Sequence, residues 1–206
     1  MQQIKKYLGL FFLVVFTFGF MQAHAVDDPV ALVQSTADNA ISSLKAQGPN
    51  LSQQQANSIV RRILLPKVDV VGMSRYAVGG RTWKSATATQ KKDFMGQFVT
   101  LVVRTYASAL AQYTNQTVKV YPIRGGYQDK RLVQVQSVIL QQGGPSIPVN
   151  YRLVKEGATW KLYDFSVDGI SMVQSFRSQF SSILNQGGMQ ALIDQLKQHN
   201  AGNKTS

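Results

Sequence analysis

The chain has 206 residues, with 22 lysines and arginines against 10 aspartates and glutamates, and a formal net charge of +12 at pH 7. It contains no cysteine, which excludes disulfides and cysteine-based metal or nucleophilic sites. The positive charge favours anionic partners, namely nucleic acid, lipid headgroups or acidic protein surfaces. Scattered cations are equally typical of a solvated surface, so charge alone does not choose a function.

The first 25 residues have the three-part order of a secretory signal peptide. Lys5 and Lys6 form a positive start, residues 8–21 are apolar and uncharged, and Ala23-His24-Ala25 is a small-x-small cleavage site. A membrane anchor needs about 20 apolar residues, which this run does not reach, and no cysteine at the cut could carry a lipid. The sequence therefore predicts a cleaved signal peptide at residues 1–25, a single domain at residues 26–200 and a flexible tail at residues 201–206.

Capping residues and apolar periodicity predict several helices in the first half of the chain. Asp28 can cap a helix that ends near Gly48, and Ser52 can cap a second helix that Pro66 stops. Residues 67–80 are predicted to form one or two short helices that end at two glycines.

The longest helix is predicted over residues 89–114, with Thr89 as its N-cap. Its apolar residues recur at steps of three and four, which is the period of a helix with one buried face. Two more helices, at about 170–185 and 188–198, are predicted to close the chain, with Ser171 near the N-cap of the first.

Between these helical regions, runs rich in β-branched residues predict four strands at 117–124, 131–141, 147–155 and 159–167. The short glycine-containing connections between them favour an antiparallel meander. The element order predicts an α+β fold, in which a curved four-stranded antiparallel sheet is covered by a layer of about six to seven helices. Such an arrangement can enclose an apolar pocket.

The sequence offers few groups for catalysis. After removal of the signal, His199 is the one remaining histidine, which excludes most zinc sites and serine–histidine pairs. Asp69, Asp164 and Asp168 lie nearest to apolar sequence, where an aspartate could act as a base, or could cap a helix or pair with a cation. An enzyme on a cone-shaped α+β fold with a buried aspartate base is therefore the alternative function. A basic scaffold or nucleic-acid-binding module is a third, and it requires the charges to cluster on one face.

Several segments, in order, resemble the MlaC family, also called the toluene-tolerance auxiliary family, the periplasmic phospholipid-binding components of the Mla transport system. The resemblance covers about residues 30–197. The segments that carry it are residues 69–87, 90–94, 98, 106–110, 160–165, 167–173 and 176–180.

This resemblance implies a periplasmic carrier that moves phospholipids between the inner and outer membranes and so maintains outer-membrane lipid asymmetry. It implies two partners, an inner-membrane ABC transporter complex and an outer-membrane lipoprotein–porin complex, with transient proximity to membranes. It implies no enzymatic activity, cofactor, metal or nucleic-acid partner.

The resemblance also implies that apolar residues of the helices and of the inner sheet face contact lipid tails, although the same residues could form a packed core. The expected lipid-binding residues are Val70, Met73, Tyr76, Phe94, Phe98, Val102, Tyr106, Val149, Tyr151, Leu162, Phe165, Ile170, Val173 and Phe176. A basic rim attracts phosphate and acidic partners. The expected headgroup or partner contacts are Arg75, Arg81, Lys84 and Arg177.

Overall fold

The computed structural model describes residues 28–48, 50–111, 116–141 and 143–202. The predicted signal peptide and residues 203–206 of the predicted tail lie outside these ranges. The described helices are α1 (Pro29–Lys45), α2 (Gln53–Ile59), α3 (Val70–Val78), α4 (Gly80–Ser85), α5 (Ala88–Ala111) and α6 (Met172–Gly202). The strands are β1 (Thr117–Val120), β2 (Leu132–Leu140), β3 (Ile147–Glu156), β4 (Thr159–Val167) and β5 (Ile170–Ser171). This architecture confirms the α+β prediction.

Side-chain caps fix where the first helices begin. The Asp28 carboxylate accepts a hydrogen bond from the Val30 N–H at 2.8 Å, and Ser52 forms a reciprocal capping box with Gln55. The helical path after α2 does not stop at Pro66. It continues through a π-helical turn (Val60–Leu64) and a 3₁₀ turn (Leu65–Lys67) before α3.

Two helix boundaries differ from the prediction. Thr89 is not the N-cap of α5, because Thr87 and Gln90 form a capping box with hydrogen bonds of 3.1 and 3.0 Å, and the helix therefore begins at Ala88. The predicted end of this helix at residue 114 lies outside the described residues. Gly79 is the C-cap of α3, as predicted, but its φ of +84° turns the chain directly into a further helix, α4, that the sequence did not predict.

The sheet is an antiparallel meander in the order β1-β2-β3-β4-β5. It has a fifth strand, at residues that the sequence pattern predicts to be the start of a helix. Asp168 and Gly169 both have positive φ, of 49° and 81°, and they form a two-residue hairpin loop that pairs Val167 with Ile170. Because of this hairpin, the final helix begins at Met172 rather than at residue 170.

The two predicted C-terminal helices are the two halves of α6. Gly188 interrupts the helix with φ 65° and ψ −160°, a conformation that glycine adopts without strain, so the chain kinks there. No helix among the described residues is long and apolar enough to cross a membrane.

The buried residues form separate clusters rather than one continuous core. α3, α5 and α6 pack around an aromatic cluster in which the Phe98 ring meets Phe176 edge-on at 5.2 Å and Phe180 at 5.8 Å. α1 instead packs on the inner face of the sheet, where Val33 joins a cluster with Val135 and Trp160. Between the three-helix layer, α1 and the sheet lies an unfilled space.

Candidate functional site

The unfilled space is a cavity of about 330 Å³ with predominantly apolar walls. One wall is the sheet, and the others are α1, α3, α5 and the π-helical and 3₁₀ turns between α2 and α3. This position between a sheet and its covering helices is one where ligand pockets commonly form.

Strand pairing builds the sheet wall from three cross-strand pairs on β3 and β4. They are Val149 with Val167, Tyr151 with Phe165, and Leu153 with Leu162, and all six residues line the cavity. Inward residues normally alternate along a strand, as they do on β3. On β4 the pairing register shifts opposite Arg152 and Leu153, and this irregularity lets residues three apart in sequence face the same cavity.

The helix α1 forms the opposite wall through its apolar face. Leu32, Ala37 and Leu44 are among its lining residues, and the small side chains of Ala37 and Ala40 leave space in front of the sheet. The π-helical turn adds further aliphatic lining at Val60 and Leu64. Sequence periodicity identifies this face of α1 as buried, but it does not show that the face borders a cavity rather than packed side chains.

Two tyrosines contribute neutral phenol groups to the walls of the cavity. Burial raises the pKa of the Tyr151 phenol, and a hydrogen bond with Ser137 partly offsets that rise. Burial also raises the pKa of Tyr106, whose ring lies edge-on to Phe165 at 5.0 Å, and the negative charge of Asp164 adds to the rise. Both phenols therefore stay neutral at physiological pH.

Lys67 is the one charged side chain among the described residues that line the cavity. It is exposed, so its ammonium group marks where the cavity meets solvent. Its backbone position is fixed by neighbouring contacts: Lys161 Nζ donates to the Pro66 carbonyl at 2.6 Å, and the Asp69 N–H donates to the Leu162 carbonyl at 2.8 Å. Lys67 is not among the residues predicted from the sequence, since nothing in a single lysine after a proline signals a cavity mouth.

The structure brings nine of the fourteen expected lipid-binding residues to the cavity. These nine are Val70, Met73, Phe98, Val102, Tyr106, Val149, Tyr151, Leu162 and Phe165. Phe94, Val173 and Phe176 lie instead in the aromatic core of the helical layer. Tyr76 and Ile170 are exposed, at 41% and 69% of their surface. Contact of any of these residues with lipid stays a prediction.

The expected headgroup or partner contacts do not line the cavity. Arg75, Lys84 and Arg177 converge instead on an open cleft of about 650 Å³, whereas Arg81 does not line it. The other lining residues of this cleft are Tyr76, Gly79, Gly80, Trp83 and Lys91. We call this site, formed by α3, α4, α5 and α6, the basic cleft.

The three candidate aspartates occupy structural positions. The buried Asp164 carboxylate accepts hydrogen bonds from Arg152 Nη1 at 3.1 Å, Ser171 Oγ at 2.7 Å and the Val173 N–H at 3.1 Å. Asp69 caps α3 through the Gly72 N–H at 2.7 Å, and Asp168 occupies the β4–β5 hairpin loop.

Ser171 is the N-cap of α6, as predicted, since its hydroxyl accepts from the Gln174 N–H at 3.1 Å. In the described part of the chain, no group of three or more histidine, aspartate or glutamate residues could hold a metal ion.

The comparisons with known proteins agree on one family. The model of the MlaC protein family matches residues 34–198, so the chain belongs to the MlaC family. The intermembrane phospholipid transport system binding protein MlaC of Haemophilus influenzae is 29% identical over 205 residues, which cover 95% of this chain and 94% of that protein. The toluene tolerance protein ttg2D of Pseudomonas putida is 30% identical over 169 residues, covering 80% of this chain and 76% of that protein.

A solved structure has the same fold. It is the phospholipid-binding protein from Ralstonia solanacearum in complex with a phospholipid, determined at 1.53 Å. The two structures share a TM-score of 0.78 at 29% sequence identity, covering 85% of this chain and 98% of the other. The fold that encloses the cavity is thus shared with a protein named for phospholipid binding.

Proposed function

We propose that this chain is a periplasmic carrier that holds phospholipid acyl chains in the cavity and transfers the lipid between membranes without catalysing a reaction. The observation that carries the proposal is the apolar cavity between sheet and helices, in a fold shared with a solved phospholipid complex. The buried aspartate favoured by the enzyme alternative is engaged by Arg152, Ser171 and Val173 and does not line the cavity.

The energetics of acyl chains require such a cavity. Transfer of a methylene from water to an apolar environment is worth about 0.8 kcal/mol, so two tails with about 20 methylenes gain about 16 kcal/mol. A carrier in water must therefore enclose most of both tails. Drug-sized ligands occupy pockets of about 300–1,000 Å³, and the present cavity lies at the lower end of that range. A two-tailed lipid is larger than such ligands, so loading requires the walls to move apart.

The polar end of the lipid is proposed to lie at Lys67. The ammonium group of this residue is exposed at the edge of an otherwise uncharged wall, where it can pair with a phosphate while the tails stay inside. The nearby Lys161 side chain is committed to the Pro66 carbonyl, which holds the turn that presents Lys67.

The route of the lipid is proposed from the family. Residues 1–25 direct export and are removed, and residues 26–200 act as one lipid-binding domain in the periplasm. The carrier exchanges lipid with an inner-membrane ABC transporter complex and with an outer-membrane lipoprotein–porin complex. The name of the Haemophilus relative, an intermembrane phospholipid transport system binding protein, supports a role in intermembrane phospholipid transport.

Native mass spectrometry of the protein purified from cells tests this proposal. We expect a phospholipid mass on the wild-type chain and its loss in Val102→Trp, where the indole fills the cavity from α5. Thr105→Trp is the matched control, because it adds a tryptophan to the exposed side of the same helix. The carrier proposal is wrong if the wild type carries no phospholipid and takes none up from vesicles, or if Val102→Trp folds and retains a full load.

A further inference from the structure

We propose that the basic cleft is a docking site for an acidic segment of a partner protein. This inference rests on the proposed carrier function, which supplies the role of the partner. It adds the surface on which the partner docks and the chemistry that the partner must have. The cleft and the cavity share no lining residue. Docking at the cleft therefore does not require the space that the cargo occupies.

The charge of the cleft is the first argument. Four cations line it, Arg75, Lys84, Lys91 and Arg177, and its lining contains no carboxylate. In the described part of the chain, none of the four has a carboxylate within 4 Å, since the ion pairs there join Arg152 with Asp164 and Lys197 with Asp93. Like charges gathered in one concavity repel each other, and a negatively charged occupant removes that repulsion.

The cleft is also held in shape by the backbone beneath it. Gly79 has φ +84° and joins α3 directly to α4, which sets Arg75 and Lys84 on the two arms of a tight corner. The Arg177 guanidinium packs over this glycine, 3.5 Å from where a Cβ would lie. A site whose walls are already ordered loses little conformational entropy when it binds.

Aromatic side chains distinguish this cleft from a simple anion site. Lys91 Nζ lies 5.7 Å from the centre of the Trp83 ring, and the Arg75 guanidinium lies 5.4 Å from that of Tyr76. The Tyr76 ring in turn packs on Tyr163 at 5.2 Å. Tryptophan, tyrosine and arginine are the residues that dominate the energy of protein–protein interfaces. The combination of cations and aromatic faces favours a peptide segment with carboxylates over a free phosphate.

The concave shape favours a protein segment over a membrane. A flat bilayer surface contacts the rim of a cleft but does not reach the side chains that face inward from both walls. A flexible acidic segment can enter a cleft of about 650 Å³ and contact all four cations. α3 carries both the cleft residues Arg75 and Tyr76 and the cavity residues Val70 and Met73, so a docked partner contacts an element of the cavity wall.

Fluorescence anisotropy with a labelled decapeptide rich in aspartate and glutamate tests the inference. We expect the double variant Lys84→Glu/Lys91→Glu to weaken binding at least tenfold. The control Lys45→Glu/Lys92→Glu makes the same change in net charge at exposed residues outside the cleft, one of them adjacent to Lys91, and we expect less than a threefold effect. Circular dichroism establishes that each variant is folded.

Competition identifies the occupant. If the two double variants weaken peptide binding equally, the net charge of the protein attracts the peptide rather than the cleft, and the cleft proposal is wrong. It is also wrong if millimolar inorganic phosphate displaces the peptide completely, or if phosphatidylglycerol vesicles bind through Lys84 and Lys91 while the peptide does not. Peptide binding that is weakened by Lys84→Glu/Lys91→Glu but not by the control variant supports the docking proposal. Native mass spectrometry of the wild type reports lipid separately, so absence of lipid with intact peptide binding overturns the carrier proposal alone.

Discussion

Gln34 on α1 accepts a hydrogen bond from the Val120 N–H of β1 through its side-chain oxygen, at 3.3 Å. The same amide donates to the Val118 carbonyl, also at 3.3 Å. β1 is an edge strand, and its outer N–H and C=O groups would otherwise have no neighbouring strand. One side-chain amide thus ties the helix that covers the cavity to the free edge of the sheet.

Replacing Gln34 with alanine should weaken the attachment of α1 to β1. Each lost hydrogen bond is worth about 0.5–1.5 kcal/mol, so we expect the free energy of unfolding to fall by about 1–2 kcal/mol. If the cavity opens between α1 and β1, transfer of a fluorescent phospholipid between vesicles should become faster. Hydrogen exchange at residues 29–45 and 117–120 should rise with it. Ser35→Ala, at an exposed position of the same helix, is the control and should leave the transfer rate unchanged.

Local capping signals predicted the starts of α1 and α2 well, and the prediction failed where a turn signal and a helical periodicity lie next to each other in the sequence. Asp28 and Ser52 cap their helices through contacts within three residues, so sequence alone was sufficient. The β5 hairpin depends on Asp168-Gly169, a dipeptide that favours a two-residue hairpin loop. That signal was outweighed by the apolar periodicity that follows it, which belongs to α6 and begins only at Met172.

Removing the Asp164 carboxylate should destabilise the junction between β4 and α6. Asp164→Ala leaves the Val173 N–H and the Ser171 hydroxyl without their acceptor, and we expect a loss of about 2–3 kcal/mol in the free energy of unfolding. Arg152 is half exposed and can be hydrated, which limits the loss. Urea denaturation measures it. Asp168→Asn is the control, since asparagine tolerates the positive φ of that position. Equal stability of Asp164→Ala and the wild type would contradict this structural role.

The mouth of the cavity offers a test of headgroup recognition. Lys67→Glu replaces an attraction for an anionic headgroup by a repulsion. The change acts more strongly on phosphatidylglycerol, which has a net negative charge, than on phosphatidylethanolamine, whose ammonium group balances its phosphate. We therefore expect the ratio of bound phosphatidylglycerol to phosphatidylethanolamine to fall about three- to tenfold, consistent with about 1 kcal/mol for an exposed ion pair. Native mass spectrometry after incubation with mixed vesicles measures this ratio. Lys92→Glu has the same net charge and lies outside the cavity lining. An equal shift in both variants would show that overall charge, rather than Lys67, sets the preference.

The sequence could not show which apolar residues line the cavity and which form the packed core. Phe94 and Val102 both belong to the apolar periodicity of α5, yet Phe94 packs in the aromatic core while Val102 faces the cavity. A core and a cavity wall have the same composition, and they differ only in what lies opposite. Val102 borders a space that the sheet and α1 also line, and the inward residues of the sheet depend on the register shift in β4. Such a distinction requires the packed structure.

Alkaline pH should destabilise the protein through its cavity phenols. Burial raises the pKa of Tyr151, so the fold favours the neutral phenol. The corresponding stability is fully present below the unfolded-state pKa of about 10, and it is lost as the pH rises from there through the higher folded-state pKa. Tyr151→Phe removes this contribution, and its free energy of unfolding should decline less steeply above about pH 10 than that of the wild type. Urea denaturation from pH 7 to 11 provides the comparison, and Tyr121→Phe, at an exposed position of the surface, should keep the wild-type slope. A Tyr151→Phe slope identical to that of the wild type would show that the phenol is in contact with solvent and that the cavity wall is open at this point.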